Sequence, residues 1–184
     1  MNQQLRIING GLQKSLTFRG IKLIATPRKF PPANVDALVF EEDAFLIMSD
    51  EPEHIPPAKH PIRLMNEIAN FKPEVPGNVV IKGRNPIRML AVVHDVNRDP
   101  TWKEEWIEKA ICAVFQKAEI LKIKTLGLPM LGTKHGKLNY QRFSRLLARS
   151  LRSCEFEYLK IIWLIAPVPV NTAVISVLTK ELNC

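Results

Sequence analysis

Apolar and polar positions along this chain follow two rhythms. Short, nearly continuous apolar runs fall at residues 21–25, 35–40, 78–81, 89–93, 125–131 and 158–166. Runs of that length, rich in Val, Ile and Leu and closed by Gly, Pro or charged residues, predict buried strands. Elsewhere the apolar spacing changes to three and four. Trp102, Trp106, Ile107, Ala110, Ile111, Val114, Phe115 and Ala118 recur on one face, with Thr101 and Glu104 placed as a capping box, so a helix of about five turns is expected. Phe143, Leu146, Leu147, Ser150 and Leu151 mark a second helix over 139–152, capped by Asn139. Ala173, Val174, Val177 and Leu178 mark another over 171–182, and Ile62, Met65, Ile68 and Ala69 an earlier one that Pro61 opens and Pro73 follows. A weaker pair of runs, 5–8 and 16–18, flanks Gly10-Gly11 and predicts a small hairpin at a sheet edge.

Leaving that hairpin aside, the order reads β-β-α-β-β-α-β-α-β-α. Strands that alternate with helices predict an α/β fold with a mixed, mostly parallel sheet covered on both faces. At 184 residues the chain suits one sizeable core, hence a single domain over 1–184 with 1–18 as its extension. Ligands of such sheets bind at the carboxyl ends of strands. Two ends matter, the one after Phe40 and the one after Leu131. Segment 44–59, which carries acids and prolines, is expected to be an exposed loop.

Charge narrows the partners. A formal net charge of +8 and a pI near 9.6 favour anionic ones: a small phosphate-bearing ligand, RNA or an acidic protein. With 46% hydrophobic residues and a mean hydropathy of −0.03 the chain reads as a soluble globule. No run reaches membrane-spanning length and residues 1–13 lack a signal-peptide core, so a cytoplasmic protein without a membrane partner is expected. Cys112, Cys154 and Cys184 show no Cys-x-x-Cys spacing and are expected to stay reduced. His54, His60, His94 and His135 show no metal-ligand pairing, and no cofactor is called for.

The end after Leu131 has the shape of an anion site. Gly132-Thr133-Lys134-His135-Gly136 follows a buried strand and precedes an amphipathic helix, so its N–H groups can turn toward an oxyanion, with Lys134 and His135 as added donors. An ordinary strand-to-helix turn is the plainer reading of the same glycines. At the other end, Glu41, Glu42 and Asp43 are expected to form a solvated acidic turn; as a chemical site they would hold a cation or act as acid and base. His94 beside Asp95 is expected to be a packed strand residue, with a general base as the other reading. Ser15, Ser49, Ser144 and Ser150 lack the surroundings of an activated nucleophile.

Arg142, Arg145, Arg149 and Arg152 are spaced three, four and three apart on the second clear helix, and no acid occurs in 138–152. Exposed helix faces usually mix signs. An unbalanced arginine row predicts a face for RNA or an acidic protein, which Lys82, Arg84 and Arg88 can enlarge, although no aromatic residues interleave with it to stack bases.

Three pieces of sequence resemble the macro domain, the ADP-ribose-binding α/β/α module. Asn34-Val35-Asp36-Ala37-Leu38-Val39 resembles that family's Val-Asp-Ala-Ile-Val strand, Ala91-Val92-Val93-His94 its Val-Ile-His strand, and Gly127-Leu128-Pro129-Met130-Leu131-Gly132-Thr133 its Phe-Pro-x-Leu-Gly-Thr-Gly loop. The likeness covers roughly 21–182 and implies a three-layer α/β/α fold with a nucleotide cleft. Departures are as informative. Where the family has Asn-Ala-Ala-Asn and a triple-glycine loop, this chain has Phe40-Glu41-Glu42-Asp43-Ala44-Phe45, with no glycine between Gly20 and Gly77, and the family's Gly-Thr-Gly is Gly132-Thr133-Lys134. Between Ala25 and Asn34 the only charges are Arg28 and Lys29, so the acid that reads adenine has no counterpart. The resemblance therefore implies phosphate-ligand binding at Gly132, Thr133, Lys134, His135 and Gly136 without catalysis. The arginine face is one alternative; an ADP-ribosyl hydrolase using Glu41, Glu42 or Asp43 is the other.

Overall fold

The computed structural model describes residues 15–28, 32, 34–48, 72–167 and 170–183. Its apolar runs become seven strands of one sheet: β1 Ser15–Phe18, β2 Ile21–Pro27, β3 Ala37–Asp43, β4 Val79–Lys82, β5 Ile87–His94, β6 Thr125–Pro129 and β7 Ile161–Ala166. Their spatial order is β1-β2-β7-β6-β3-β5-β4. Strands β2, β7, β6, β3 and β5 run parallel, and antiparallel β1 and β4 close the two edges. The expected α/β architecture with a mixed, mostly parallel sheet is present. The expected helix over 61–70, the loop over 49–59 and the run at 5–8 lie outside the described residues.

Strand β1 does form an edge hairpin, but with β2. Phe18 pairs with Ile21 across Arg19 and Gly20, whose φ values of 48° and 82° suit a two-residue hairpin turn that matches strand twist.

Helices α1 Glu104–Ile120, α2 Tyr140–Ser153 and α3 Asn171–Asn183 pack side by side, with α1 against β4 and β5 and α3 against β1 and β2. Burial follows the periodicity. Trp106, Ile107, Ala110, Ile111, Val114, Phe115 and Ala118 of α1 are all buried, as are Phe143, Leu146, Leu147, Ser150 and Leu151 of α2. Each large apolar side chain removed from water contributes about 1.5–3 kcal/mol, so these two faces hold the helices in place. The Ser144 and Ser150 hydroxyls donate back to the carbonyls of Tyr140 and Leu146, which accounts for polar groups on a buried face. Asn139 caps α2 through its side chain, accepting from the Arg142 N–H at 2.9 Å. The capping box at Thr101 does not form: α1 begins at Glu104 with Lys103 as N-cap and no side-chain cap. Thr101 instead accepts the Asp95 N–H, and Trp102 bridges to His94, because packing Trp102 over the site draws this segment out of the helix. No described helix is long and apolar enough to cross a membrane.

Two carboxylates order the loops that feed the central strands. Glu119 at the end of α1 accepts N–H bonds from Glu157, Tyr158 and Leu159 at 2.8–2.9 Å, ahead of β7. Asp36 accepts from Lys124 and Thr125 ahead of β6. Burial pushes both carboxyl groups up, but the N–H bonds outweigh it and hold each below its ordinary value. A depressed folded value contributes stability above the unfolded value and loses it as pH falls through the folded one. Thermal melts should therefore shift down as pH drops below about 4.5. Glu119→Gln should melt lower at neutral pH yet change less between pH 5 and 3, and an unaltered acid slope in that variant would refute the assignment.

Cys112 and Cys154 are free, half-buried thiols on either side of the Ser153 hydroxyl. Burial and the neighbouring Cys112 sulfur push Cys154 up to about 11, so it stays a protonated thiol at neutral pH.

Candidate functional site

The sheet forks where β3 meets β6. These strands pair only at Ala37 with Leu126 and Leu38 with Gly127, although β3 continues to Asp43 and β6 to Pro129. Gly127 lets the fork pack tightly, since a Cβ there would lie 2.5 Å from the Leu38 Cδ2. Beyond it the strands part and a cavity of about 450 Å³ opens at the carboxyl ends of β3, β6 and β7, a volume in the range of small-molecule sites. Leu38, Phe40, Met130 and Ile165 give it apolar wall, while Arg28, Glu41, Thr133, Lys134 and His135 bring polar groups to it.

The acidic run is not a solvated turn. β3 carries on through Glu41, Glu42 and Asp43, and Glu42 and Asp43 are completely buried. Their carboxylates organise the chain that follows: Glu42 accepts the Met48 N–H, and Asp43 Oδ1 accepts the N–H groups of Phe45 and Ile47. Asp43 Oδ2 is buried with no hydrogen-bond partner among the described residues. The sequence did carry a signal for this, because apolar residues resume at once with Ala44, itself 1% exposed. A chain leaving the core would have stayed polar. Among the described residues no group of three or more His, Cys, Asp or Glu side chains is arranged to hold a metal ion.

Glu41 alone of the three acids lines the cavity. Its Oε1 lies 2.6 Å from the His94 Nε2 and its Oε2 accepts the Gly132 N–H at 2.9 Å. Both side chains are nearly buried, at 9% and 4% exposure. With a carboxylate opposite, Nε2 is the ring nitrogen that carries the proton. His94 is a packed strand residue as expected, but its acidic partner is Glu41 on the adjacent strand. Asp95 turns away to accept from the Asn97 N–H and to pair with Arg98.

Residues 132–136 curl beside this pair. Gly132 has φ 75°, and a Cβ on it would sit 2.3 Å from the Ile107 Cδ1 in the core. A Cβ on Gly136 would sit 2.4 Å from the Gly132 carbonyl oxygen and 3.1 Å from the Trp102 ring. Local packing is thus sufficient to require both glycines. The amides divide: Gly132 donates to Glu41 and Thr133 to the Met130 carbonyl, whereas the N–H groups of His135 and Gly136 have no partner among the described residues. Gly132 is therefore not an open donor, because the protein's own carboxylate already occupies it. The His135 ring meets the His94 ring edge to face, 6.1 Å between centroids.

The arginine row is balanced in three dimensions. Arg142 pairs with Glu104 at 2.6 Å, Arg149 with Glu108 at 2.9 Å and Arg145 with Glu181 at 3.1 Å, so α1 and α3 provide the acids that α2 lacks. Arg152 donates to the Glu181 carbonyl. All four arginines line a shallow groove that shares no lining residue with the cavity described above.

The fold matches solved structures. A mutant Oceanobacillus iheyensis macrodomain with ADPR superposes over 94% of this chain and 97% of its own, at TM-score 0.65 and 12% identity. The chain has a macrodomain fold. The Trypanosoma brucei macrodomain, solved in complex with ADP, covers 86% of this chain and 68% of its own, at TM-score 0.56 and 11% identity. The macrodomain of Thermus aquaticus DarG covers 78% and 99%, at TM-score 0.50 and 17% identity. No protein-family model matches the sequence, and no curated protein matches it. At these identities the likeness is one of macrodomain architecture, and the chemistry must be argued from the residues that line this chain's own cleft.

Proposed function

We propose that this macrodomain-like chain binds a phosphate-bearing ligand, ADP-ribose or a related nucleotide, in the cleft at the β3–β6 fork, and does not turn it over. The observation that carries this reading is the cleft itself, where an apolar wall meets Arg28, Lys134 and His135, and where the N–H groups of His135 and of the adjoining Gly136 have no partner among the described residues. Lys134, His135 and Gly136 hold the phosphate, while Gly132, whose amide serves Glu41, and Thr133, whose amide and hydroxyl both serve the Met130 carbonyl, contribute shape. Structural neighbours solved with ADPR and with ADP support the choice of ligand class. The non-catalytic reading rests on the commitments of the acids: Glu42 and Asp43 are buried caps, and both oxygens of Glu41 already accept bonds. A carboxylate acting as general base needs an uncommitted oxygen within reach of the proton it removes.

Calorimetry with ADP-ribose, AMP and free phosphate tests the binding; release of ADP-ribose from modified protein tests turnover. Heat with at least one ligand and no release is the expected result. No heat and no thermal shift at millimolar ligand would defeat the proposal, and measurable release would defeat its non-catalytic half. An RNA or acidic-protein face on α2 is the weaker reading, because exposed guanidinium groups paired to Glu104, Glu108 and Glu181 present a nearly balanced surface.

A further inference from the structure

We infer that Glu41 sets the ligand class of the cleft, admitting a nucleotide with one phosphate in preference to one with a diphosphate. The inference rests on the reading of the cleft as a phosphate site and narrows its ligands, ranking ADP-ribose, itself a diphosphate, below a nucleotide with one phosphate. Glu41 stands where β3 and β6 have already parted, and its carboxylate crosses the gap to the first amide of the 132–136 loop. That amide is the donor an extended diphosphate would take next after a phosphate bound at His135 and Gly136. A negative group of the protein is there first.

Nor can the carboxylate swing aside. His94 at the end of β5 holds Oε1 at 2.6 Å and the Gly132 N–H in the loop after β6 holds Oε2 at 2.9 Å, with little solvent around the Glu41 and His94 side chains. A second phosphate laid toward Gly132 meets a fixed like charge in a poorly screened place, where juxtaposed like charges strongly disfavour the wrong ligand. A single phosphate kept to the His135 end avoids it and still has the basic side chains of Arg28 and Lys134 and the His135 ring on the cavity wall. Exclusion by an unfavourable contact is thus built from a residue that also organises the floor of the site.

The test is calorimetry with AMP and ADP on the wild type and on Glu41→Gln. Glutamine can keep both bonds, accepting from Gly132 through its oxygen and donating through its amide to the other tautomer of His94. The wild type should bind AMP about tenfold or more tightly than ADP, and Glu41→Gln should close that ratio to about threefold or less. Wild-type protein that binds ADP as tightly as AMP, or a ratio that survives Glu41→Gln, overturns the assignment while leaving the cleft reading intact. Failure of AMP, ADP, ADP-ribose and phosphate alike to bind the wild type would overturn both. Should Glu41→Gln not fold, Glu41→Met/His94→Leu, which removes the charge and its partner together, carries the same comparison with the same outcomes.

Discussion

Gly136→Ala is expected to destabilise the protein by about 2–3 kcal/mol, lowering Tm by about 5–10 °C. The new methyl would lie 2.4 Å from the Gly132 carbonyl oxygen, with the Trp102 ring 3.1 Å away. A rotamer change cannot relieve a clash with backbone, so the loop itself must move, and that carbonyl also accepts the Leu138 N–H ahead of α2. Gly132→Ala presents a different obstacle: the nearest atom is the tip of the Ile107 side chain, which can rotate, but φ of 75° adds a conformational cost. Thermal melts of both variants check this. A Gly136→Ala protein that melts within about 1 °C of the wild type would show that the loop is not held as described.

How much of this was readable beforehand depended on the range of the interaction. Helices α1 and α2 were legible because a buried face imposes its own period, and Phe143, Leu146, Leu147 and Leu151 sit at that period and are buried. The inner strands were legible as apolar runs because a parallel strand covered on both faces has no polar side to show. Helix caps depended on context: Asn139 behaved as a local rule would have it, and Thr101 did not, since tertiary packing of Trp102 overrode its capping preference.

Pairings between distant segments were not legible. The loop 132–136 was found from its glycines, but its most consequential contact comes from Glu41, ninety-one residues earlier. His94 was singled out beside Asp95, its neighbour in sequence, while strand pairing places Glu41 as its partner. Likewise the arginines of α2 looked unbalanced because their acids, Glu104, Glu108 and Glu181, belong to helices that only the fold brings alongside. Charge run by run is a one-dimensional quantity. Electrostatic balance on a surface is set by which elements are neighbours, and hydrophobic periodicity says little about that.

Removing either member of the Glu41–His94 pair alone is expected to cost about 3 kcal/mol, and removing both together less than the sum. Glu41→Met leaves the ring N–H of His94 and the N–H of Gly132 without their acceptor; His94→Leu leaves a carboxylate that is only 9% exposed with one bond fewer. Each is a buried polar group stripped of its partner, for which the full desolvation cost comes due. In Glu41→Met/His94→Leu two apolar side chains face each other instead, and only the Gly132 amide goes unserved. Denaturant melts of the four proteins give the coupling directly, expected at about 1–3 kcal/mol; singles that add within about 0.5 kcal/mol would show that the two groups do not support each other. The size of the residual loss then bears on why the pair is there. Buried ion pairs are often matched or exceeded in stability by packed apolar residues. A double variant nearly as stable as the wild type would mean that folding does not require a carboxylate on the cleft floor, and that its place beside Gly132 serves the choice of ligand.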